Sequence, residues 1–283
     1  MSRVYPARAK INWALNITGR RPDGYHLLDM LMQSIELHDD MAFEAAEDGV
    51  IDLTVNGAPD PDPEANLVVR AARALNAHCG TNHGARIDLV KRIPARAGLG
   101  GGSADCAAAL KALNDLWELG LDHDVLPEIG VKLGADVPFC LAGGLARVSG
   151  LGEVIAPVPG APEIPLVLVT PGGGLPTGPV FKRWDSGRFP AVRLDTRALA
   201  EAVVVRDLAA VDRLAANALT APAIEMLPEI GEVMARMRAL GAGAAFMTGS
   251  GSTVVSAFAD EAAARRAAST LPGAILTRTR GDL

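Results

Sequence analysis

Residues 93–114 read IPARAGLGGGSADCAAALKALN, with four glycines in five positions directly before an alanine-rich stretch of helical character. Each ordered glycine costs on the order of 1 kcal/mol relative to alanine, because it gives up more backbone freedom on folding. A tight turn needs only one or two. Gly98, Gly100, Gly101 and Gly102 together strip the side chains from a run of backbone amides. Ser103 and the start of a helix then add unpaired N–H groups and the positive end of a helix dipole. The segment reads as a main-chain cradle for phosphate, with the helix expected after Ser103 and Gly120 placed to end it.

Three known phosphate-binding designs do not fit. No lysine follows the glycines, as a Walker A loop requires. The dinucleotide fingerprint needs glycine where Ser103 or, in the other register, Asp105 stands. The HRD and DFG elements of protein kinases are absent.

The whole chain narrows the partners. Its 283 residues, 49% hydrophobic, suit two domains or one large one. A formal charge of -6 offers no broad positive field for nucleic acid or an anionic membrane. Cys79, Cys106 and Cys140 lack metal-site spacing and read as small core residues of a reducing compartment. With no signal-peptide pattern and no long apolar run, the expected location is the cytoplasm.

Along the chain, Ala9 to Thr18 alternates as a strand, with Ile11, Trp13, Leu15 and Ile17 on one face and Lys10, Asn12, Asn16 and Thr18 on the other. A helix is predicted from Leu67 to Cys79, stopped by Gly80, and another around Leu126, Ile129 and Leu133. FCLAGGLARVSGLGEVIAPV reads as strands with glycine turns, and PVPGAPEIP as a boundary between domains at 1–157 and 158–283. Beyond it, IPLVLVT is a strand. Two helical patterns follow, over about Asp195 to Ala216 and Pro222 to Leu240, then a hairpin in AAFMTGSGSTVVSAF, a helix and a final strand. That order suggests a ferredoxin-like half.

The pattern Pro-x3-Gly-Leu-Gly-x2-Ser, carried by Pro94, Gly98, Leu99, Gly100 and Ser103, resembles the nucleotide-binding motif of the GHMP small-molecule kinases. PARAKINWALNITGRRPDGYHLL, LGADVPFCLAGG and MTGSGSTVVSAF resemble the N-terminal signature, the catalytic-aspartate motif and the C-terminal glycine motif of the isoprenoid-precursor branch of that superfamily. The resemblance implies an α+β, two-lobed α/β sandwich, with an N-terminal lobe like domain 2 of ribosomal protein S5 and a ferredoxin-like C-terminal lobe. It implies transfer of the γ-phosphoryl group of ATP, with Mg2+, to the 2-hydroxyl of 4-diphosphocytidyl-2-C-methyl-D-erythritol in the non-mevalonate route to isoprenoid precursors. The chain would act as a monomer or homodimer.

Alone, Asp136 would pass for a turn aspartate and Lys10 for a solvated strand lysine. The resemblance makes Asp136 the base at the acceptor hydroxyl and Lys10 its cationic partner. Pro94, Ala95, Arg96, Ala97, Gly98, Leu99, Gly100, Gly101, Gly102, Ser103 and Ala104 would hold ATP. Tyr25 and His26 would read the cytosine by stacking and base-edge hydrogen bonds, with Phe181 on the other side of the ring and Asn12 and Thr177 making polar contacts. Pro176 stands where family members commonly carry serine, and Thr248 also replaces a usual serine. Gly249, Ser250 and Gly251 would lie near the phosphates. No protein ligand is assigned to Mg2+; Ser103 is one candidate. Rival readings are a homoserine, mevalonate or sugar kinase of the same superfamily and a non-catalytic α+β binding module.

Overall fold

The computed structural model describes residues 4–122, 124–187, 189, 192 and 194–281. The described residues divide into two compact units that the chain visits alternately: one within Met1–Ala9, Leu37–Ile93 and Gly100–Ala142, the other within Lys10–Glu36, Pro94–Leu99 and Gly143–Leu283. Two long strands, β1 (Val4–Arg20) and β2 (His26–Ala46), pair with each other and contribute residues to both units.

In the first unit the C-terminal part of β2 pairs antiparallel with β5 (Gly84–Val90), from Asp40↔Val90 to Ala46↔Gly84. Next to β5 runs β3 (Ile51–Val55) in parallel, and β4 (Ala58–Pro59) pairs with β3. Helix α1 (Leu67–Cys79) takes the predicted bounds: Asn66 Oδ1 accepts the Val68 N–H, and Gly80 ends the helix at φ 67°. Against α1 lies α2 (Gly101–Leu116), which also packs on α3 (Val125–Leu133) and α4 (Val137–Ala142). Ala104, Cys106, Ala107, Ala109 and Ala112 of α2 are buried, and small side chains let the helix axes approach closely.

Three expectations change here. Helix α2 begins at Gly101, not after Ser103, because Gly100 takes φ 72° as N-cap and Gly101 and Gly102 already belong to the first turn. Its end comes at Trp117, before Gly120, where Glu118 turns left-handed at φ 51°. In FCLAGG the first four residues are helical, not extended: Pro138 is compatible with a first turn, Phe139 and Leu141 face the core, and Gly143 and Gly144 at φ 68° and 66° terminate the helix.

In the second unit, the N-terminal part of β2 pairs with β6 (Leu145–Gly150), which forms a hairpin with β7 (Val154–Pro157). The β1–β2 turn is closed by the Arg21 N–H on the Tyr25 carbonyl at 2.8 Å. A separate antiparallel sheet runs β11 (Ile275–Arg278), β8 (Pro165–Val169), β10 (Val254–Ala257), β9 (Ala244–Met247). This is the strand order of a ferredoxin-like half.

Between β8 and β9 come α5 (Thr177–Trp184), α6 (Thr196–Val204), α7 (Leu208–Leu214), α8 (Thr220–Met226) and α9 (Glu229–Ala239). The two predicted helical patterns are thus four helices. The first breaks at Arg206, at φ 58°, after which Asp207 caps the Ala210 N–H; the second breaks at Pro228. Helices α9 and α10 (Glu261–Ser269) pack on this sheet around Val167, Met237, Phe258 and Leu271. Phe258 is wholly buried in that layer, so Phe258→Ala should cost about 3–5 kcal/mol in urea denaturation followed by circular dichroism.

Candidate functional site

The second unit brings several of the predicted residues together. Lys10 is only 4% exposed, and its ammonium donates to Asn12 Oδ1 at 2.7 Å and to the Gly98 carbonyl at 3.1 Å. Alternation puts both side chains on one face of β1. Asn12 is itself buried: its backbone N–H donates to Thr248 Oγ1 at 2.8 Å and its amide nitrogen to Met30 Sδ at 3.3 Å. The Lys10 N–H meets the Leu99 carbonyl at 3.0 Å. Lys10 is therefore a fixed interior cation attached to the glycine segment, not a solvated strand lysine.

The glycines serve packing as well as access. A β-carbon on Gly98, which sits at φ 76°, would lie 2.3 Å from the Thr248 carbonyl oxygen, and one on Gly249 would lie 2.7 Å from the Gly98 carbonyl oxygen. Main chain thus lies against main chain at both loops. Residues 96 and 97 are pinned as well, the Arg96 carbonyl by the Leu175 N–H at 3.0 Å and the Ala97 carbonyl by the Thr253 N–H at 3.3 Å. Ala97 and Leu99 are buried anchors, while Ala95 and Arg96 are exposed and Pro94 is half-buried. Asn217, which sequence reasoning missed, donates its amide to the carbonyls of Met247 and Gly249 at 3.0 and 2.8 Å. Ser250 and Thr177 share a hydroxyl hydrogen bond at 3.0 Å, linking α5 to the Gly249–Gly251 turn.

A second cluster gathers around His26. Its ring lies 4.8 Å from Phe181, inclined 30°, and meets Trp184 edge-on at 5.7 Å. His26 Nε2 contacts Asp185 Oδ1 at 2.7 Å. That partner places the proton on Nε2 and leaves Nδ1 as an acceptor in the neutral ring. Phe181 and His26 are in direct contact and form one aromatic cluster. Tyr25, 63% exposed at the hairpin turn, offers an open ring. Trp184 and Asp185 were not picked out from the sequence, because only the helical turn of α5 aligns them with His26.

The first unit holds the rest. Gly100 turns left-handed, and the N–H groups of Gly101, Gly102 and Ser103 open the 16-residue helix α2; Ala104 closes the turn on the Gly100 carbonyl at 2.9 Å. Asp136 is half-buried immediately before α4, and its carbonyl accepts from the Cys140 N–H at 3.0 Å. A β-carbon on Gly134 would lie 3.6 Å from Ser103 Oγ, so the turn carrying Asp136 lies against the start of α2.

Among the described residues no group of three or more His, Cys, Asp or Glu side chains could hold a metal ion. Ser103 and Asp136 offer hard oxygen atoms, the donor type that Mg2+ takes in ones or twos while phosphate and water fill its other positions. No helix among the described residues is long and apolar enough to cross a membrane.

Burial also shifts three groups on α2, Asp105 and Cys106 upward and the Lys111 ammonium downward. Burial pushes the Asp105 carboxyl up to about 7; the Lys91 ammonium opposes the rise and Asp39 adds to it. Desolvation alone would lower Lys91, but the two carboxyl groups outweigh it and hold the ammonium above the ordinary lysine range. Cys106, read as core, is buried with its thiol pushed up to about 12 by burial, which makes it unreactive; Cys79 and Cys140 are half-buried.

An acid whose folded value is raised keeps its proton where the unfolded chain has lost it. Relative to Asp105→Asn, the parent should therefore lose stability as pH rises from 3.8 to about 7 and then level off, in urea titrations across that range. A pH-independent difference would contradict this account.

Comparison with known proteins accords with these features. Residues 66–144 match the GHMP kinases N terminal domain and residues 199–274 the GHMP kinases C terminal domain. A protein of Pelotomaculum thermopropionicum named 4-diphosphocytidyl-2-C-methyl-D-erythritol kinase is 45% identical over 262 residues, 93% of this chain and 91% of its own length. One of the same name from Paramagnetospirillum magneticum is 43% identical over 276 residues, covering 95% and 93%. A crystal structure of 4-(cytidine 5'-diphospho)-2C-methyl-D-erythritol kinase superposes with a TM-score of 0.84 at 36% identity, over 99% of this chain and 100% of that one. A homoserine kinase from Cytophaga hutchinsonii, 17% identical with a TM-score of 0.74 over 98% and 94%, shares the fold. With kinship running through both halves at this level, the chain belongs to the 4-diphosphocytidyl-2-C-methyl-D-erythritol kinase family of GHMP kinases.

Proposed function

We propose that this protein transfers the γ-phosphoryl group of ATP to the 2-hydroxyl of 4-diphosphocytidyl-2-C-methyl-D-erythritol, a step of the non-mevalonate isoprenoid route, in the cytoplasm. Full-length kinship to relatives of that name carries the reading, and the interior ammonium of Lys10 attached to the glycine segment supports it. The nucleotide-binding and catalytic lobe is assigned to 1–157 and the substrate-side lobe to 158–283.

Residues 94–104 hold the triphosphate through main-chain N–H groups and the α2 dipole, with Gly249–Gly251 beside it. Mg2+ bound with ATP neutralises phosphate charge, and Ser103 is the hydroxyl of this loop that would face it. Asp136 accepts the proton of the attacking hydroxyl. Lys10 orients that hydroxyl and offsets the negative charge that spreads over the transferred group.

At the acceptor's base, Tyr25 stacks on one side and Phe181 on the other. His26 Nδ1, left as an acceptor by Asp185, takes the exocyclic amine of cytosine, a hydrogen-bond donor. Thr177 and Asn12 complete the polar surroundings, Asn12 through Lys10. Homoserine and mevalonate present no base for these rings.

A coupled ADP-release assay with the cytidyl acceptor, mevalonate and homoserine tests the reading. Turnover should be confined to the first, and Asp136→Asn should lower kcat by roughly 10²–10⁴ while leaving the affinity for an ATP analogue intact. A variant as active as the parent would refute the assigned base. Asp185→Asn should raise KM for the cytidyl acceptor about tenfold at unchanged KM for ATP, since one charge-assisted hydrogen bond is lost.

A further inference from the structure

Three charged side chains that the proposed reaction does not use meet where the first unit breaks off at Ile93 and resumes at Gly100, on either side of the glycine segment. Beyond Val90 the chain leaves its strand, and the following N–H groups lose their ladder partners. The Lys91 N–H donates to Asn56 Oδ1 at 2.8 Å, while those of Arg92 and Ile93 both donate to Asp39 Oδ1, the latter at 2.8 Å. Asp39 lies on β2, one residue beyond the Asp40↔Val90 pair, and is fully buried. Its carboxylate takes over the task of the missing strand.

Asp39 Oδ2 also accepts from Lys91 Nζ at 2.5 Å, and the same ammonium donates to Asp105 Oδ2 on α2 at 2.6 Å. Gly101 is packed onto this bridge: a β-carbon there would lie 3.1 Å from Ile93 Cγ2 and 3.5 Å from Lys91 Nζ. Residues 92–93 before the cradle and residue 105 after it are thus tied to one buried carboxylate. Asp105 Oδ1 is buried with no hydrogen-bond partner among the described residues, so Lys91 is the principal tether of that side chain.

We propose that Asp39, Lys91 and Asp105 are positioning residues for the phosphate cradle, clamping its two ends so that its amides are aimed before nucleotide arrives. The inference rests on the reading that residues 94–104 hold the ATP phosphates. Preset donors contribute most where charge must be met without rearrangement, and a small misplacement is costly. Asp39, having no exposed surface, acts only through the residues it holds.

The test uses the full chain with Lys91→Met, Asp39→Asn and both together. It measures amide hydrogen exchange over 92–104 without nucleotide, affinity for a non-hydrolysable ATP analogue, and KM for ATP and for the cytidyl acceptor. Each single change should speed exchange in that segment and weaken the analogue roughly tenfold. The double variant should be no worse than the poorer single, acceptor KM should stay constant, and Lys91→Arg should recover most of the loss. If Asp39→Asn does not fold, the contrast between Lys91→Met and Lys91→Arg decides through exchange alone.

Unchanged exchange, additive losses, or an equal rise in acceptor KM would each overturn the clamp. Weakened analogue binding in Lys91→Met beside a silent Asp39→Asn would instead make Lys91 a direct nucleotide contact and also overturn it. A parent chain that binds no analogue refutes the nucleotide reading, whereas unchanged exchange refutes the clamp; the two failures are separable.

Discussion

The contact on which the polar interior of the second unit depends is the meeting of two stretches of bare backbone, at Gly98 and Gly249. Neither position admits a β-carbon without placing it within 2.7 Å of the opposing main chain. Because the backbones touch, the Gly98 carbonyl comes within reach of the Lys10 ammonium, and Thr248 Oγ1 within reach of the Asn12 N–H. A buried ammonium is tolerated only with such partners, since desolvation without them costs several kcal/mol. One steric permission therefore supports both the location of the cation and the course of the loop.

Under the proposed function a chain of net charge -6 must bind a polyanion. On that reading the attraction would come from oriented amides and one helix terminus, whose effect is local and falls off within a turn, not from a broad positive surface. Lysine and arginine are then free for structural work. Lys91 bridges two carboxyl groups in the first unit, and Arg278 joins Glu36 and Glu163 in the second.

Much of this was legible in the residues. Period-2 alternation located β1, the Gly80 signal fixed the end of α1, and the hairpin around Gly249–Gly251 follows from its glycine spacing. The errors have local causes. Helical periodicity runs smoothly across Arg206, so a break made by a left-handed non-glycine residue leaves no mark in the pattern. FCLA is short and apolar, which suits strand and helix equally until Asp136, Pro138 and the two glycines are weighed together. At the site, motif residues were visible because they are contiguous. Asp39, Lys91, Asn217 and Asp185 were not, because each acts on residues far away in sequence, and on the page each resembles an ordinary polar side chain.

Asn217 shows what such a remote residue can do. Its amide nitrogen draws in the carbonyl oxygens of Met247 and Gly249 from one side, while its own oxygen takes the Leu219 N–H. A peptide plane whose oxygen is drawn one way must turn its hydrogen the other. The Thr248 N–H opposite the Met247 carbonyl is spent on the Thr253 carbonyl at 3.0 Å, so it is the Ser250 N–H that a single neutral side chain turns away from itself, polarising the turn without placing a formal charge there.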